Sequence, residues 1–213
     1  MSEEIDTPET PKQKIYYDKR SVALRTSQCV YFVQEHDKTS MLLSLLEDYK
    51  DTQTIIVVRS KKKADVLKEL LISKDFKALS LHGNHRKEVQ EESTIRFNLG
   101  ALNILITTDM IFQTLELENI KLVLNYDLPD ILDDYYNRLV CLKELGEAIT
   151  FVSPEDDRLL SMIELNMKQE MQEKTLEGFV ASTTSNQARS SKKDRKKKPR
   201  HRKVKPRKEK GND

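Results

Sequence analysis

The chain has 213 residues, of which 34% are charged and only 6% aromatic, so it can bury one core of modest size beneath a strongly polar surface. Its net charge of +2 is unevenly distributed. Residues 182–213 contain 14 Lys and Arg but only 3 Asp and Glu, whereas residues 1–181 contain 23 basic and 32 acidic residues. No apolar run reaches transmembrane length, and Cys29 and Cys141 match no metal-ligand spacing, so we expect a cytoplasmic protein with reduced thiols, no metal and no membrane partner.

Residues 1–24 are polar and without sustained periodicity, which predicts a flexible N-terminal segment. From residue 25 to residue 172, short apolar runs predict strands; in chain order they are CVYFV, TIIVV, ALSLH, NILIT, KLVLNY and AITFV. Between most of them lie segments with apolar residues near helical spacing, such as SKKKADVLKELLIS. This alternation predicts an α/β domain with a parallel β-sheet and helices on both faces.

Two serines mark helix starts. Ser60 follows the second run and can cap the helix that contains Leu67. Ser153 precedes Pro154 and has Asp156 at capping-box spacing, and the helix that it opens is predicted to continue towards Met171.

The motifs TIIVVRSKKKADVL, LHGNHRKEVQ, ILITTDM, LVLNYDLP and AITFV follow one another in an order that resembles the second RecA-like domain of DEAD-box RNA helicases. The resemblance runs from about Val30 to Ile163 and implies a RecA-like fold. In such helicases two RecA-like domains close around ATP and one RNA strand, and the first carries the phosphate loop and the DEAD sequence. This sequence has no GxxxxGK[ST] and no DExD, and we expect too little chain before Val30 for that domain. The resemblance therefore implies no phosphoryl transfer by this chain alone.

The helicase pattern HRxGRxGR falls on residues 137–144 and has lost two of its arginines. Its first arginine is Arg138, but the two that would reach the γ-phosphate are replaced by Cys141 and Glu144. An arginine finger accelerates phosphoryl transfer by about 10³- to 10⁵-fold, and a carboxylate there repels nucleotide. We expect Arg138 to form an internal ion pair with an acidic neighbour such as Asp133 or Asp134.

The helicase pattern ARGxD, which holds the nucleotide, reads FQTLE here, so that its arginine and aspartate become Gln113 and Glu116. Both nucleotide-binding patterns are therefore degenerate. We predict that the chain has no cofactor and, in particular, that it has not kept an ATP-binding site.

The RNA-facing residues that the resemblance implies are better kept. Ser60, Lys61, Gly83 and Thr108 match positions that contact RNA phosphates, and small residues at strand ends expose amides and hydroxyls without clash. Arg86, Lys87 and Asp109 complete the predicted surface, although the arginine of the family's QxxR pattern is lost at Gln90. Gly83 and Thr108 are equally well explained by the needs of their turns, and Asp109 by capping the turn that follows.

Residues 173–213 begin rich in Ser and Thr and end in KKDRKKKPRHRKVKPRKEK, which predicts a disordered basic tail that tethers RNA through phosphates. A tail that merely solubilises the protein or lies on the acidic body is the alternative. The predicted tail contacts are Lys192, Lys193, Arg195, Lys196, Lys197, Lys198, Arg200 and Arg202.

These features predict a non-catalytic RNA-binding protein derived from a helicase C-terminal domain. One alternative is a protein-interaction module that partners another helicase or a ribonucleoprotein, which the acidic body favours. Another is a remnant or split half of an ATP-dependent RNA helicase.

Overall fold

The computed structural model of the protein describes residues 19–117 and 120–182, and within them the chain forms one parallel sheet of seven strands. The strands lie in the order β3-β4-β2-β5-β6-β1-β7, and every neighbouring pair is parallel. They are β1 (Ser27–Phe32), β2 (Thr54–Val57), β3 (Ala78–Leu81), β4 (Ile104–Thr107), β5 (Ile120–Asn125), β6 (Leu142–Val152) and β7 (Gln172–Glu173).

Helices connect the strands and cover both faces of the sheet, as predicted. They are α1 (Lys19–Arg25), α2 (Lys38–Asp48), α3 (Lys61–Ser73), α4 (Lys87–Asn98), α5 (Asp109–Phe112), α6 (Leu132–Val140) and α7 (Asp157–Met167), with short 3₁₀ turns at Glu35–Asp37 and Pro154–Asp156. In the described part of the chain, each helix is too short or too polar to cross a membrane.

The side chains of the buried strands point alternately to the two faces of the sheet, so the core consists of two apolar clusters, one on each face. Ile55 of β2 packs into one apolar cluster with Phe97 of α4, whereas the next residue, Ile56, packs into a second cluster with Leu67 of α3. Successive side chains of a strand point to opposite faces, so a strand that is apolar throughout must be covered on both sides.

The predicted helix starts are confirmed, but one helix end is wrong. Ser60 Oγ accepts a hydrogen bond from the backbone N–H of Lys63 at 3.2 Å, and Ser153 forms the capping box with Asp156. The last helix ends at Met167 rather than near Met171, because Lys168 adopts a left-handed backbone conformation that turns the chain towards β7.

The N-terminal boundary of the domain lies earlier than predicted. Residues 1–18 are outside the described part, but helix α1 begins at Lys19, within the segment predicted to be flexible. Val22 is 8% exposed and Ala23 is fully buried, so this short helix belongs to the core.

The C-terminal boundary lies later than residue 172. Strand β7 pairs with β1, and the backbone N–H of Lys174 donates to the carbonyl of Val30 at 2.9 Å. Leu176 and Phe179 then pack against the second core cluster. The ordered body therefore includes residues that the sequence assigned to the tail.

Both cysteines are free thiols, and Cys29 is 1% exposed. Burial raises the pKa of each thiol to about 12, which keeps both protonated and unreactive at neutral pH. Within residues 19–117 and 120–182, His, Cys, Asp and Glu side chains form no group of three that could hold a metal ion.

Candidate nucleic-acid interface at the carboxyl edge of the sheet

The loops that follow β2, β3 and β4 meet at one edge of the sheet, which we call the carboxyl edge. A Cβ atom built on Gly83 would lie 2.9 Å from Met110 Cε and 3.5 Å from Lys61 Nζ. Lys61 Nζ also donates to Asn84 Oδ1 at 2.9 Å. The sheet order β3-β4-β2 thus brings together loops that lie far apart in the sequence.

The first of these loops carries the exposed Ser60 and the half-buried Lys61. A hydroxyl has one donor and two acceptor sites, so Ser60 can cap α3 and donate to an anionic oxygen at the same time. Asn84, the observed partner of Lys61, is neutral, and this contact leaves the positive charge of Lys61 uncompensated.

The neighbouring cations are paired with carboxylates. The guanidinium of Arg59 lies 3.5 Å from Asp130 and 3.6 Å from Asp156, and Lys63 Nζ lies 2.9 Å from Asp127. Burial lowers the pKa of Lys63, but the hydrogen bonds and negative charges of Asp127 and Glu35 together outweigh it, so the pKa lies above its usual value and the ion pair persists at neutral pH. Of Arg59, Lys61 and Lys63, Lys61 is therefore the best placed to attract an external anion.

A buried ionic network fixes the shape of this loop. Asp127 Oδ2 accepts from the backbone N–H of Arg59 at 2.9 Å, so the carboxylate after β5 holds the chain as it leaves β2. Lys38, only 1% exposed, lies 3.2 Å from Asp156 and 3.7 Å from Asp127. Because these charges are buried and mutually paired, the loop is held in one conformation.

The second loop carries the predicted Arg86 and Lys87. Arg86 precedes α4 and is exposed, while Lys87 lies 3.4 Å from Glu91 one turn along the helix, a contact that offsets part of its charge. Gln90, at the position of the family's arginine, donates to the carbonyl of His85 at 2.8 Å. It fastens the loop backbone instead of supplying charge.

The third loop carries Thr108 and Asp109, which follow the end of β4 at Thr107. Thr108 is 8% exposed, precedes α5 and makes no side-chain capping bond to it. Asp109 gives both carboxylate oxygens to Arg138, at 2.6 Å to Nε and 2.7 Å to Nη2. A carboxylate held in this way does not favour RNA phosphates, which argues against Asp109 as a phosphate contact.

Arg138 is an internal residue, but its partner differs from the prediction. It is 1% exposed, and besides Asp109 it donates to Asn125 Oδ1 at 3.0 Å and to the carbonyl of Asp127 at 2.8 Å. The predicted partners Asp133 and Asp134 lie on its own helix, whereas β4 delivers Asp109 from a different part of the sequence. Four of the five N–H groups of the guanidinium are therefore used inside the protein.

The other positions of the degenerate nucleotide patterns carry no cation. Gln113 Nε2 donates to Asp134 Oδ1 at 2.7 Å, and Glu116 is exposed. Cys141, at the end of α6, donates a hydrogen bond from Sγ to the carbonyl of Arg138 at 3.3 Å. The side chain of Glu144 lies outside the described part of the chain, as do the predicted tail contacts from Lys192 to Arg202.

A cavity of about 280 Å³ opens at this edge, and the sequence did not point to most of its lining. Met110 and Ile131, each 62% exposed, and Pro129 supply its apolar surface. Lys61 and Asp134 also line it. The sequence does contain one signal for this lining: Met110 directly follows TTD and Pro129 directly follows NYDL, at positions where parallel strands end at a shared edge.

The parallel sheet, its strand order and its helical layers define a RecA-like domain. Residues 37–140 match the helicase conserved C-terminal domain. The ATP-dependent RNA helicase vasa of Drosophila melanogaster is 34% identical over 137 residues, which are 63% of this chain and 21% of vasa. The chain thus spans about a fifth of the length of this curated relative.

Solved DEAD-box structures have the same fold. The E. coli DEAD-box protein SrmB, bound to regulator of ribonuclease activity A (RraA), superposes with a TM-score of 0.70 at 22% identity, covering 76% of this chain and 98% of that one. S. cerevisiae Dbp5, bound to RNA and ADP BeF3, superposes with a TM-score of 0.69 at 25% identity, covering 76% and 44%. The predicted second RecA-like domain of DEAD-box helicase type is confirmed.

Proposed function

We propose that this chain is a non-catalytic RNA-binding protein whose carboxyl edge holds RNA phosphates and whose basic tail tethers the strand. One contrast carries the proposal. Among the predicted phosphate contacts, Lys61 has a positive charge that no carboxylate compensates. Among the nucleotide positions, Arg138 is paired with Asp109, and Gln113 is neutral.

The geometry of the edge supports phosphate binding without base-specific contacts from the strand ends. Gly83 has no side chain, so Lys61 Nζ can lie close to the loop backbone, 3.5 Å from the position that a Cβ atom would take. Ser60 and Thr108 add hydroxyl groups at the ends of the neighbouring strands. The related Dbp5 domain was solved with RNA, which supports RNA as the ligand class.

The nucleotide positions support the absence of ATP turnover. Phosphoryl transfer needs cations around the transferred group, and Cys141 carries a protonated thiol where the resemblance places an arginine. Gln113 is neutral and Arg138 is paired with Asp109, so neither residue offers a cation to a triphosphate. We therefore propose that RNA binding needs no nucleotide.

The protein-interaction alternative has its own support. The exposed Met110 and Ile131 offer an apolar contact, and the net charge of residues 1–181 opposes RNA. SrmB was solved with a protein partner, RraA. A remnant or split half of a helicase is the third candidate, favoured by the small share of vasa that the chain spans.

Reversing the charge of Lys61 tests the proposal. In a chain that ends at Ser182 and so keeps every described strand and core residue, Lys61→Glu is expected to weaken binding of single-stranded RNA about tenfold or more, since a charged contact is replaced by repulsion. Fluorescence anisotropy measures the dissociation constant.

Lys74→Glu is the matched control, because it makes the same charge change at the far end of helix α3, where Lys74 is exposed. It is expected to leave RNA affinity within about twofold, as a surface charge far from the contacts is largely screened. Equal effects of the two variants would locate RNA elsewhere and count against the carboxyl edge.

A further inference from the structure

The cavity at the carboxyl edge combines two opposite charges with apolar surface. Lys61 and Asp134 both line it, and so do Met110, Pro129 and Ile131. A cation, a carboxylate and exposed apolar side chains around one cavity suit a ligand that carries an anion, a flat apolar face and a hydrogen-bond donor.

Asp134 keeps capacity to accept hydrogen bonds. A carboxylate offers about four acceptor sites, and Gln113 occupies one of them on Oδ1. The amide of Gln113 orients the carboxylate without neutralising it. An arginine at position 113, which the family pattern carries, would form an ion pair with Asp134 and remove its charge.

The other carboxylates of the cavity are engaged by cations. Both oxygens of Asp109 receive hydrogen bonds from Arg138, and Asp130 lies 3.5 Å from the guanidinium of Arg59. Asp134, whose observed partner is a neutral amide, is thus the acceptor best placed to serve a ligand.

Met110 supplies a surface for a planar ring. Its Cε lies 2.9 Å from the position that a Cβ atom would take at residue 83, so Gly83 lets the Met110 side chain lie against the loop while 62% of the residue stays exposed. Ile131 is equally exposed. Sulfur and aliphatic groups make favourable contacts with aromatic rings.

We propose that this cavity binds one nucleobase of the RNA strand whose phosphate contacts Lys61, and that Asp134 accepts a hydrogen bond from the exocyclic amino group of that base. This inference rests on the proposed function and adds to it a preference for cytosine over uracil. Cytosine presents an N4 amino donor, whereas uracil presents an O4 acceptor that a carboxylate repels.

A basic peptide fits the cavity less well. Its cations would pair with Asp134, but they would meet Lys61 in the same cavity. An RNA strand satisfies both charges with one nucleotide unit, phosphate to Lys61 and base to Asp134. The cavity is also continuous with the loops of the carboxyl edge through Lys61 and Thr108.

Two homopolymers of equal charge test the inference. Oligocytidylate and oligouridylate of about 12 nucleotides, within the usual site sizes for single strands, are titrated against the full chain in about 200 mM salt, where sequence-blind tail contacts are weakened. We expect oligocytidylate to bind about tenfold more tightly, the discrimination typical of a hydrogen bond to a charged group.

Asp134→Asn is expected to abolish this preference, because it replaces the carboxylate by an amide of the same shape. Asp133→Asn is the matched control: it removes the same charge from the preceding residue, which does not line the cavity, and should leave the ratio of the two dissociation constants unchanged.

Each outcome separates the two proposals. Binding of both homopolymers with equal affinity, a ratio that survives Asp134→Asn, or a ratio lost with Asp133→Asn would overturn the base-binding cavity and leave the RNA-binding function standing. Failure of both homopolymers to bind even in about 50 mM salt would overturn the proposed function itself.

Discussion

Replacing Arg138 by leucine is expected to lower the free energy of unfolding by about 3 kcal/mol, because it removes one partner of a buried ion pair. The substitution leaves the Asp109 carboxylate without its cation and removes a hydrogen bond to the fully buried Asn125. The side chain of Asp109 keeps 23% of its exposure, so water compensates part of the loss and the cost falls at the low end of the usual 3–5 kcal/mol range. Urea denaturation followed by circular dichroism measures it.

The double variant Arg138→Leu with Asp109→Leu is the control. It removes both charges at once, so we expect it to be more stable than Arg138→Leu alone. Arg138→Leu costing less than about 1 kcal/mol would place it with ordinary surface substitutions and contradict the internal ion pair.

Ending the chain at Ser182 is expected to cause the largest change in RNA binding, because it deletes 14 Lys and Arg. If about six of them contact phosphates and the rest of the chain adds about two contacts, the affinity of the full chain should fall roughly 2,000-fold between about 50 and 200 mM salt. The shortened chain, with about two such contacts, should lose only about sevenfold. Anisotropy titrations at several salt concentrations give both slopes.

A full-length chain with the order of residues 183–213 scrambled is the control for the tail. Tail contacts of this kind are electrostatic and sequence-blind, so the scrambled tail should restore both the affinity and the salt slope. A scrambled tail that fails to restore binding would show that its order matters and would contradict a simple tether.

The strands and helix starts were predictable because their signals are local. The run TIIVV is β-branched throughout and apolar from Ile55 to Val58, which is typical of a strand covered on both faces, and β2 lies there. Ser60 and Ser153 announce helices through side-chain bonds to residues three positions away. Helix α1 escaped prediction because its buried residues, Val22 and Ala23, are too few to form a periodic pattern.

The candidate site was less predictable, since its contacts join distant parts of the sequence. Neighbours in the sequence suggested Asp133 or Asp134 for Arg138, but 29 residues separate the arginine from its actual partner, Asp109. The apolar lining by Met110 and Ile131 appears only when the strand order places their loops at one edge. Local sequence does not specify that order.

The measurement that bears most directly on RNA binding without catalysis is an anisotropy titration of single-stranded RNA against the chain ending at Ser182. It is made in about 50 mM salt, where electrostatic contacts are strong, with and without ATP and Mg²⁺. We predict that the shortened chain binds RNA and that its dissociation constant does not change when nucleotide is added. Binding that appears only with ATP, or no binding under either condition, would contradict a nucleotide-independent RNA surface at the carboxyl edge.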